Sequence, residues 1–190
     1  MKFWIIADTH LGHDLMKQAD TCNRPSNFEE QILKSVARLD PTDVLVCLGD
    51  VCFGNEDEWH TKFTAATPCK KWLILGNHDK NSLTWYMSHG WDFVGSMMTL
   101  QFMGHHIMFS HVPQPWSRGY TVNIHGHFHN NSPHRHEPAL VAIKNGKQVL
   151  ITPEWLGYKP ISLEWIIGKF NAHDKTRPSY PLEFRPKEGD

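Results

Sequence analysis

Short apolar runs recur along the chain, and each one ends in a polar loop. They are rich in β-branched and aromatic side chains and are too short for helices, which is typical of strands buried on both faces. These runs cover residues 3–7, 44–48, 72–75 and 107–109. Stretches with helical spacing separate them, and this alternation predicts an α/β sheet.

Two of the predicted helices begin with recognisable capping signals. The segment from Ser26 to Glu29 has the form of a capping box and is followed by apolar residues at helical spacing, which predicts a helix over residues 27–39. A similar signal at Asn55 precedes Trp59 and Phe63. Both helices carry one apolar face, so we expect them to pack on the sheet.

After residue 90 the apolar pattern changes to a series of short runs with strand character. These runs cover residues 93–102, 105–110, 121–125, 138–143 and 148–152. Gly104 predicts a turn that contains His105 and His106, and Asn145-Gly146 predicts a further hairpin turn. Together with the earlier elements, the pattern predicts an α/β fold of two packed mixed β-sheets flanked by helices.

The arrangement of these elements predicts one domain. No linker divides them, and we place the domain at residues 1–168. From Lys169 onward, prolines at 178, 181 and 186 stand among charged and polar residues, which predicts an irregular polar C-terminal tail over residues 169–190.

Composition limits the partners that we expect. The 190 residues are 40% hydrophobic and carry a formal net charge of −1, so no broad basic surface for DNA or RNA is expected and long nucleic acid is an unlikely substrate. No stretch approaches the roughly 18 apolar residues of a membrane span. The four cysteines form no C-x-x-C pair, which favours free thiols and a cytoplasmic protein.

Metal-seeking side chains follow the predicted strands. They lie in five segments, Asp8-Thr9-His10, Gly49-Asp50, Gly76-Asn77-His78-Asp79, Ser110-His111 and Gly126-His127-Phe128-His129. Loops at strand ends are the usual ligand sites of α/β sheets, and in extended chain the side chains at i and i+2 point the same way. Carboxylate and imidazole without thiolate suit Mn, Fe, Zn or Ni. The five segments therefore predict one dinuclear metal site.

The ordered segments D-T-H, G-D, G-N-H-D, S-H and G-H-F-H resemble those of the calcineurin-like metallophosphoesterase family. The resemblance covers roughly residues 3–168. Segments 8–13, 23–25 and 157–163 further resemble a small branch of the family found in bacteria and their phages. The family resemblance implies an αββα sandwich and two divalent metal ions, of which we favour Mn²⁺.

The resemblance also implies a role for each motif residue. One ion would be held by Asp8, His10, Asp50 and His129, and the second by Asp50, Asn77, His111 and His127. His78 matches the family histidine that contacts the phosphate or protonates the leaving oxygen. Asp79 would orient that imidazole, or alternatively cap the next helix.

Four further residues are candidate substrate contacts. His13 and Arg24 are expected in loops near the site, where they could donate to phosphate oxygens. Trp116 and Arg118 lie in the proline-rich loop after His111, where they could stack on a base and pair with a second phosphate. The alternative for all four is ordinary loop packing.

Three functions are compatible with these features. The first is a phosphodiesterase that hydrolyses a small nucleotide-type diester by attack of a metal-activated hydroxide. The second is a phosphomonoesterase or protein phosphatase that uses the same metals. The third is a non-catalytic metal-binding scaffold, although every ligand type and His78 are present. We rank the phosphodiesterase first.

Overall fold

The computed structural model describes residues 1–115, 119–130 and 148–174, with side chains as far as residue 171. The strands in these ranges are β1 (Phe3–Ile6), β2 (Val44–Cys47), β3 (Lys70–Ile74), β4 (Phe93–Gly95), β5 (Met97–Phe102), β6 (His105–Ser110), β7 (Val122–His125), β8 (Gln148–Leu150) and β9 (Ile161–Ser162). The helices are α1 (Phe28–Val36), α2 (Glu56–Ala66), α3 (Leu83–Ser88), α4 (Pro153–Leu156) and α5 (Leu163–Asp174), with a 3₁₀ helix at Asp14–Lys17.

The strands form two sheets. The first has the order β4-β3-β2-β1-β9, with β9 antiparallel to β1 and the other pairs parallel. The second has the order β5-β6-β7-β8, with β5 antiparallel to β6 and the other pairs parallel. The predicted α/β architecture of two mixed sheets flanked by helices is confirmed.

Two hydrophobic clusters hold the layers together. One lies between the sheets and includes Ile5 and Val46 from the first sheet, Phe109 and Ile124 from the second, and Phe170 from α5. The other covers the opposite face of the first sheet, where residues of α1, α2 and α3 pack on β1, β2 and β3. Because both faces of the first sheet are covered, its central strands read as continuous apolar runs.

Several predicted elements need correction. The run 93–102 is not one strand: it changes sheet at Ser96, because β4 pairs with β3 whereas β5 pairs with β6. His105 and His106 lie in β6 rather than in the turn, which is formed by Met103 and Gly104 at positive φ. The proposed strand 138–143 and the Asn145-Gly146 turn lie outside the described residues.

The ends of the helices also differ from the prediction. Helix α1 was predicted over residues 27–39 with a capping box from Ser26, but its N-cap is Asn27 and it ends at Val36. The N-cap of α2 is Asn55, as the sequence signal indicated, and neither Asn27 nor Asn55 caps its helix with a side-chain hydrogen bond. Helix α5 continues to Asp174 and buries Phe170, which is 5% exposed, so the expectation of irregular chain is wrong for residues 169–174. The anchoring of this aromatic residue in the core outweighs the polar composition of its neighbours.

One buried histidine outside the predicted ligand segments gives the fold a dependence on pH. His60 of α2 is buried, accepts a hydrogen bond from Trp91 Nε1 at 3.0 Å, and has its pKa lowered to about 4, chiefly by burial. In the unfolded chain the pKa would be near 6.5. The unfolded state therefore takes up a proton first, and stability is lost as the pH falls from about 6.5 towards 4.

We predict that His60→Gln weakens this pH dependence, since glutamine can accept the Trp91 N–H and does not titrate. Between pH 7 and pH 5 the wild type should lose on the order of 1–2 kcal/mol more of its free energy of unfolding than the variant. Urea unfolding at a series of pH values measures this difference. Parallel curves for the two proteins would contradict the assignment.

None of the helices within the described ranges has both the length and the apolar character needed to cross a membrane.

Candidate metal centre

The five predicted ligand segments meet at one edge of the two sheets. Strands β1, β2 and β3 are parallel, as are β6 and β7, so the loops at their carboxyl ends lie side by side. Backbone hydrogen bonds join these loops, from Asp8 N to Gly49 O, from His10 N to Asp50 O and from Gly126 N to His111 O, each 3.0 Å long. The loops therefore hold one another in place.

The side chains of these loops form two groups of possible metal ligands. Asp8, His10 and His129 form one group, and Asp50, His111 and His127 form the other. Within each group the donor atoms all lie within 4.8 Å of one another. Each group contains three of the four residues that the family resemblance implied for one ion.

Asp50 lies between the two groups. Its Oδ2 is 3.6 Å from His10 Nε2 and 3.3 Å from His111 Nε2. Asn77 joins the second group, because its Oδ1 is 2.9 Å from both His111 Nε2 and His127 Nδ1. A single carboxylate oxygen thus faces donors from both groups.

The hydrogen bonds of the two carboxylates leave one oxygen of each directed at the histidines. Asp50 Oδ1 accepts the backbone N–H of His78 at 2.8 Å, and Asp8 Oδ2 accepts that of His127 at 2.9 Å. The other oxygen of Asp8, Oδ1, is buried without a hydrogen-bond partner among the described residues, as is His10 Nε2. Buried, unpaired acceptors of this kind suit a bound cation.

The tautomer of His111 leads to the same conclusion. Its Nδ1 lies 2.7 Å from the carbonyl oxygen of Leu48, which only accepts, so Nδ1 carries the hydrogen. In the neutral ring Nε2 then carries a lone pair. This nitrogen is 3.2 Å from His127 Nδ1 and also faces the oxygens of Asp50 and Asn77. Several electron-rich atoms that converge in this way are stabilised by a positive charge between them, which a proton on His111 or a metal ion can provide. These residues fit a divalent metal ion.

The electrostatics of the site favour positive charge. Burial opposes the charged form of His129, but the Asp8 carboxylate, with Cys22 and Glu154, outweighs it and raises the pKa of His129 to about 10. Burial likewise opposes the charge on His111, yet Asp50 and Asp8 raise its pKa to about 9. Burial raises the pKa of Asp8 to about 6. A metal ion would supply the charge that protons supply here.

The backbone at the ligand positions is unusual. Asp8, His10, Asp50 and His127 all have positive φ, between 44° and 73°, where residues other than glycine are uncommon. We expected Asp8 and His10 to point the same way, and likewise His127 and His129, because the chain would be extended there. That reason is wrong, because Asp8, His10 and His127 have left-handed backbone. The left-handed turns bring these residues into the site.

Two glycines permit the close approach of the carboxylates. A Cβ at Gly76 would overlap Asp50 Oδ1, and a Cβ at Gly126 would overlap Asp8 Oδ2. Both glycines have φ outside the left-handed region, so the absence of a side chain matters here more than conformational freedom. The two glycines therefore let neighbouring backbone lie against the carboxylates of Asp50 and Asp8.

His78 lies at the open side of the site. Its Nε2 is 4.0 Å from Asp50 Oδ2, and its side chain is 37% exposed. The ring contacts His10 and Phe53 edge to face, with centroid distances of 5.4 and 5.5 Å. A substrate that reached the two ligand groups would meet this imidazole.

Asp79 does not take its predicted place against His78. Its Oδ2 accepts the backbone N–H groups of Asp50 and Gly76, both at 2.8 Å, and its Oδ1 accepts that of Val51 at 3.3 Å. Nor does Asp79 cap α3, whose N-cap is Ser82. The buried carboxylate instead joins the loops after β2 and β3.

Arg24 is also corrected, because its guanidinium is not directed at a phosphate. The residue is 2% exposed and donates to the backbone oxygens of Thr9 and Asp8, both at 2.8 Å. It also forms an ion pair with Glu154, whose Oε1 lies 2.7 Å from Arg24 Nη2. Arg24 therefore holds the first ligand loop from behind.

Glu154 is a residue that the sequence reasoning missed. Its Oε1 lies 3.7 Å from His129 Nδ1, and it forms a third possible ligand group with Cys22 and His129. Burial opposes its charge, but Arg24 and His129 lower its pKa to about 2. Its position just after the predicted strand 148–152 was the available signal, since β8 is parallel to β7 and ends at the same edge.

The remaining predicted substrate contacts have different positions. The ring of His13 stacks on Phe53, with centroids 4.3 Å apart and planes at 20°, and lies 5.5 Å from the ring of His10. His13 is therefore at the border of the site. Trp116 and Arg118 lie outside the described residues.

Comparisons with known proteins found one curated relative and several solved structures that are similar to this chain. A curated relative, the uncharacterized protein MJ1445 of Methanocaldococcus jannaschii, is 28% identical over 178 residues, which are 87% of this chain and 89% of that protein. The solved structure of AQ665 from Aquifex aeolicus, a protein of unknown function, has a TM-score of 0.70 at 24% identity and covers 88% of this chain and 98% of its own. The solved structure of a novel archaeal phosphodiesterase has a TM-score of 0.48 at 16% identity and covers 86% and 100%.

The family model described as calcineurin-like phosphoesterase matches residues 1–156. This match includes all seven candidate metal ligands, which are Asp8, His10, Asp50, Asn77, His111, His127 and His129. The chain belongs to the calcineurin-like phosphoesterase family.

Proposed function

We propose that this protein is a dinuclear-metal-dependent phosphodiesterase that acts on small nucleotide-type diesters in the cytoplasm. The observation that carries the proposal is the position of Asp50, whose Oδ2 faces His10 of one ligand group and His111 of the other. A carboxylate shared in this way is the expected bridge of a two-metal site. The four cysteines are free and buried, which favours a reducing compartment.

The two ions would be held by the residues of the two groups. Asp8, His10, His129 and Asp50 would hold one, and Asp50, Asn77, His111 and His127 would hold the other. Two divalent cations, when bound, supply positive charge for a phosphate group and a nucleophile from water near neutral pH. The mixed oxygen and nitrogen donors suit Mn²⁺, which we favour, and also Fe, Zn or Ni.

The side chains around the ions have separate tasks in this proposal. His78 donates a proton to the leaving oxygen, since its partly exposed imidazole lies on the open side of Asp50. Arg24 fixes the Asp8 loop through two backbone oxygens, and Asp79 fixes the Asp50 loop through backbone N–H groups. Neither Arg24 nor Asp79 needs to touch the substrate.

A diester is favoured over a monoester by the position of Arg24. A phosphate monoester carries a second negative charge at neutral pH, which a guanidinium would pair well. Arg24 is turned away from the site, buried and paired with Glu154, so it does not provide that charge. Among the residues that the structure describes, the partly exposed His78 and the exposed Phe53 leave room at the edge of the site for the second substituent of a diester.

The test compares two chromogenic substrates after the protein is reloaded with Mn²⁺. We expect a higher kcat/KM for bis-p-nitrophenyl phosphate than for p-nitrophenyl phosphate, because Arg24 is paired with Glu154 and does not supply a positive charge for the second negative charge of a monoester. Chelator-treated protein is the control and should be inactive until Mn²⁺ is restored.

The other outcomes separate the alternatives. A strong preference for p-nitrophenyl phosphate would support a phosphomonoesterase or protein phosphatase on the same site. Inactivity toward both substrates, with metal bound, would support a non-catalytic scaffold.

A further inference from the structure

An exposed aromatic side chain stands beside the proposed acid. Phe53 follows the Asp50 loop and is 45% exposed. Its ring contacts His78 edge to face at 5.5 Å and stacks on His13 at 4.3 Å. The aromatic ring of Phe53 therefore lies directly beside the imidazole that we propose as the proton donor.

The backbone holds Phe53 firmly in this place. Its N–H donates to Leu11 O at 3.0 Å, and the N–H of Leu11 donates to Val51 O at 2.9 Å. These bonds join the Phe53 loop to the loop that carries His10 and His13. A surface that is already ordered can bind a flat ligand without a large loss of conformational entropy.

Single exposed phenylalanines are common on proteins and usually need no explanation. Phe53 differs because its ring contacts within the described part of the chain, His13 and His78, both belong to the site. His13 is a predicted substrate contact, and His78 is the predicted phosphate contact or proton donor, whereas no role was predicted for Phe53 from the sequence. An aromatic face next to a proton donor suits a leaving group that carries a ring of its own.

We propose that Phe53, supported by His13, is a stacking surface for the nucleobase of the leaving nucleoside. This inference rests on the proposed phosphodiesterase activity and names the class of its leaving group. When His78 gives its proton to the leaving oxygen, the sugar attached to that oxygen lies next to His78, and the base lies over Phe53. An oxygen from water forms a bond to phosphorus as the bond between phosphorus and the leaving oxygen breaks, and the nucleoside leaves as a neutral alcohol that carries the proton of His78.

The experiment uses Mn²⁺-loaded protein and two deoxyadenosines joined by one 3′–5′ phosphodiester. Two analogues each lack one base, and the products of the wild type show which nucleoside leaves. Stacking is worth roughly 1–3 kcal/mol per base, so Phe53→Ala should lower kcat/KM for the full substrate by about 5- to 150-fold. The analogue without the leaving base should be cleaved equally by the variant and the wild type.

Two matched variants separate stacking from shape. Phe53→Tyr keeps the ring and should retain the activity of the wild type, whereas Phe53→Leu keeps apolar volume without the ring and should behave like Phe53→Ala. Metal content, measured for every variant, should not change, because Phe53 is not among the candidate ligands.

Two results would overturn the inference. One is an unchanged kcat/KM of Phe53→Ala for the full substrate, and the other is an equal loss for the analogue without the leaving base, which would indicate a displaced His78. If the metal-loaded wild type cleaves no diester, the proposed function fails. Titration of the protein with deoxyadenosine then tests separately whether Phe53 binds a nucleobase. The ring signals of Phe53 should then still shift in NMR spectra, and unshifted signals would reject the surface.

Discussion

Asp50→Ala should lose both metal ions and at least about 10³-fold of the phosphodiesterase activity, since two-metal catalysis supplies several kcal/mol of transition-state stabilisation. The reason is that Asp50 Oδ2 faces His10 and His111, so one carboxylate serves both ligand groups. Elemental analysis of the purified variant, together with kcat/KM for bis-p-nitrophenyl phosphate, measures both effects.

Asp8→Ala is the matched control for this prediction. Asp8 belongs to only one ligand group, so its variant should keep the ion held by Asp50, Asn77, His111 and His127. Circular dichroism should show that both variants are folded. Two ions retained by Asp50→Ala would refute the bridging role.

His78→Ala should keep both metals and lose about 10²- to 10⁴-fold of kcat, the usual range for a general acid or base. The imidazole is close to the centre but is not part of either ligand group, and it lies at the exposed side. Metal content and steady-state kinetics with a dinucleoside phosphate test the two halves of this prediction.

The leaving group provides an internal control for His78. p-Nitrophenolate leaves without a proton, so His78→Ala should be much less impaired on bis-p-nitrophenyl phosphate than on a dinucleoside phosphate. An equal loss on both substrates would mean that His78 binds phosphate and does not act as an acid. Full activity on the dinucleoside phosphate would remove His78 from the mechanism.

Part of the convergence of the metal-seeking segments could be predicted from strand order alone. Once β1, β2 and β3 are parallel, the residues after them must meet at one edge, so Asp8, Asp50 and Asn77 could be assigned to one site without knowledge of their exact contacts. His111 follows β6 of the second sheet, and its assignment to the same site came from the family resemblance. The local conformation could not be predicted, because Asp8 and Asp50 adopt left-handed backbone that only the surrounding loops enforce.

The roles of Arg24 and Asp79 were hidden because they depend on partners distant in sequence. Arg24 pairs with Glu154, 130 residues away, and Asp79 accepts the N–H of Asp50, 29 residues away. An arginine near a phosphate site and one behind a ligand loop have the same local sequence signature. Only the direction of the guanidinium, set by tertiary packing, separates them.

The division of the run 93–102 between two sheets has a similar cause. Its apolar spacing is compatible with strand throughout, but Phe93 pairs with Trp72 of the first sheet and Met97 with Ser110 of the second. Strand propensity does not identify the partner of a strand. Helix α5 likewise continues past Lys169 because its residue Phe170 is buried in the hydrophobic cluster that includes both sheets.

The most direct test of the two-metal centre is anomalous diffraction from crystals of the protein loaded with Mn²⁺. Our account predicts two anomalous peaks, both within coordination distance of Asp50, with Asp8, His10 and His129 around one and Asn77, His111 and His127 around the other. A single peak, or a peak held instead by Cys22, His129 and Glu154, would contradict it.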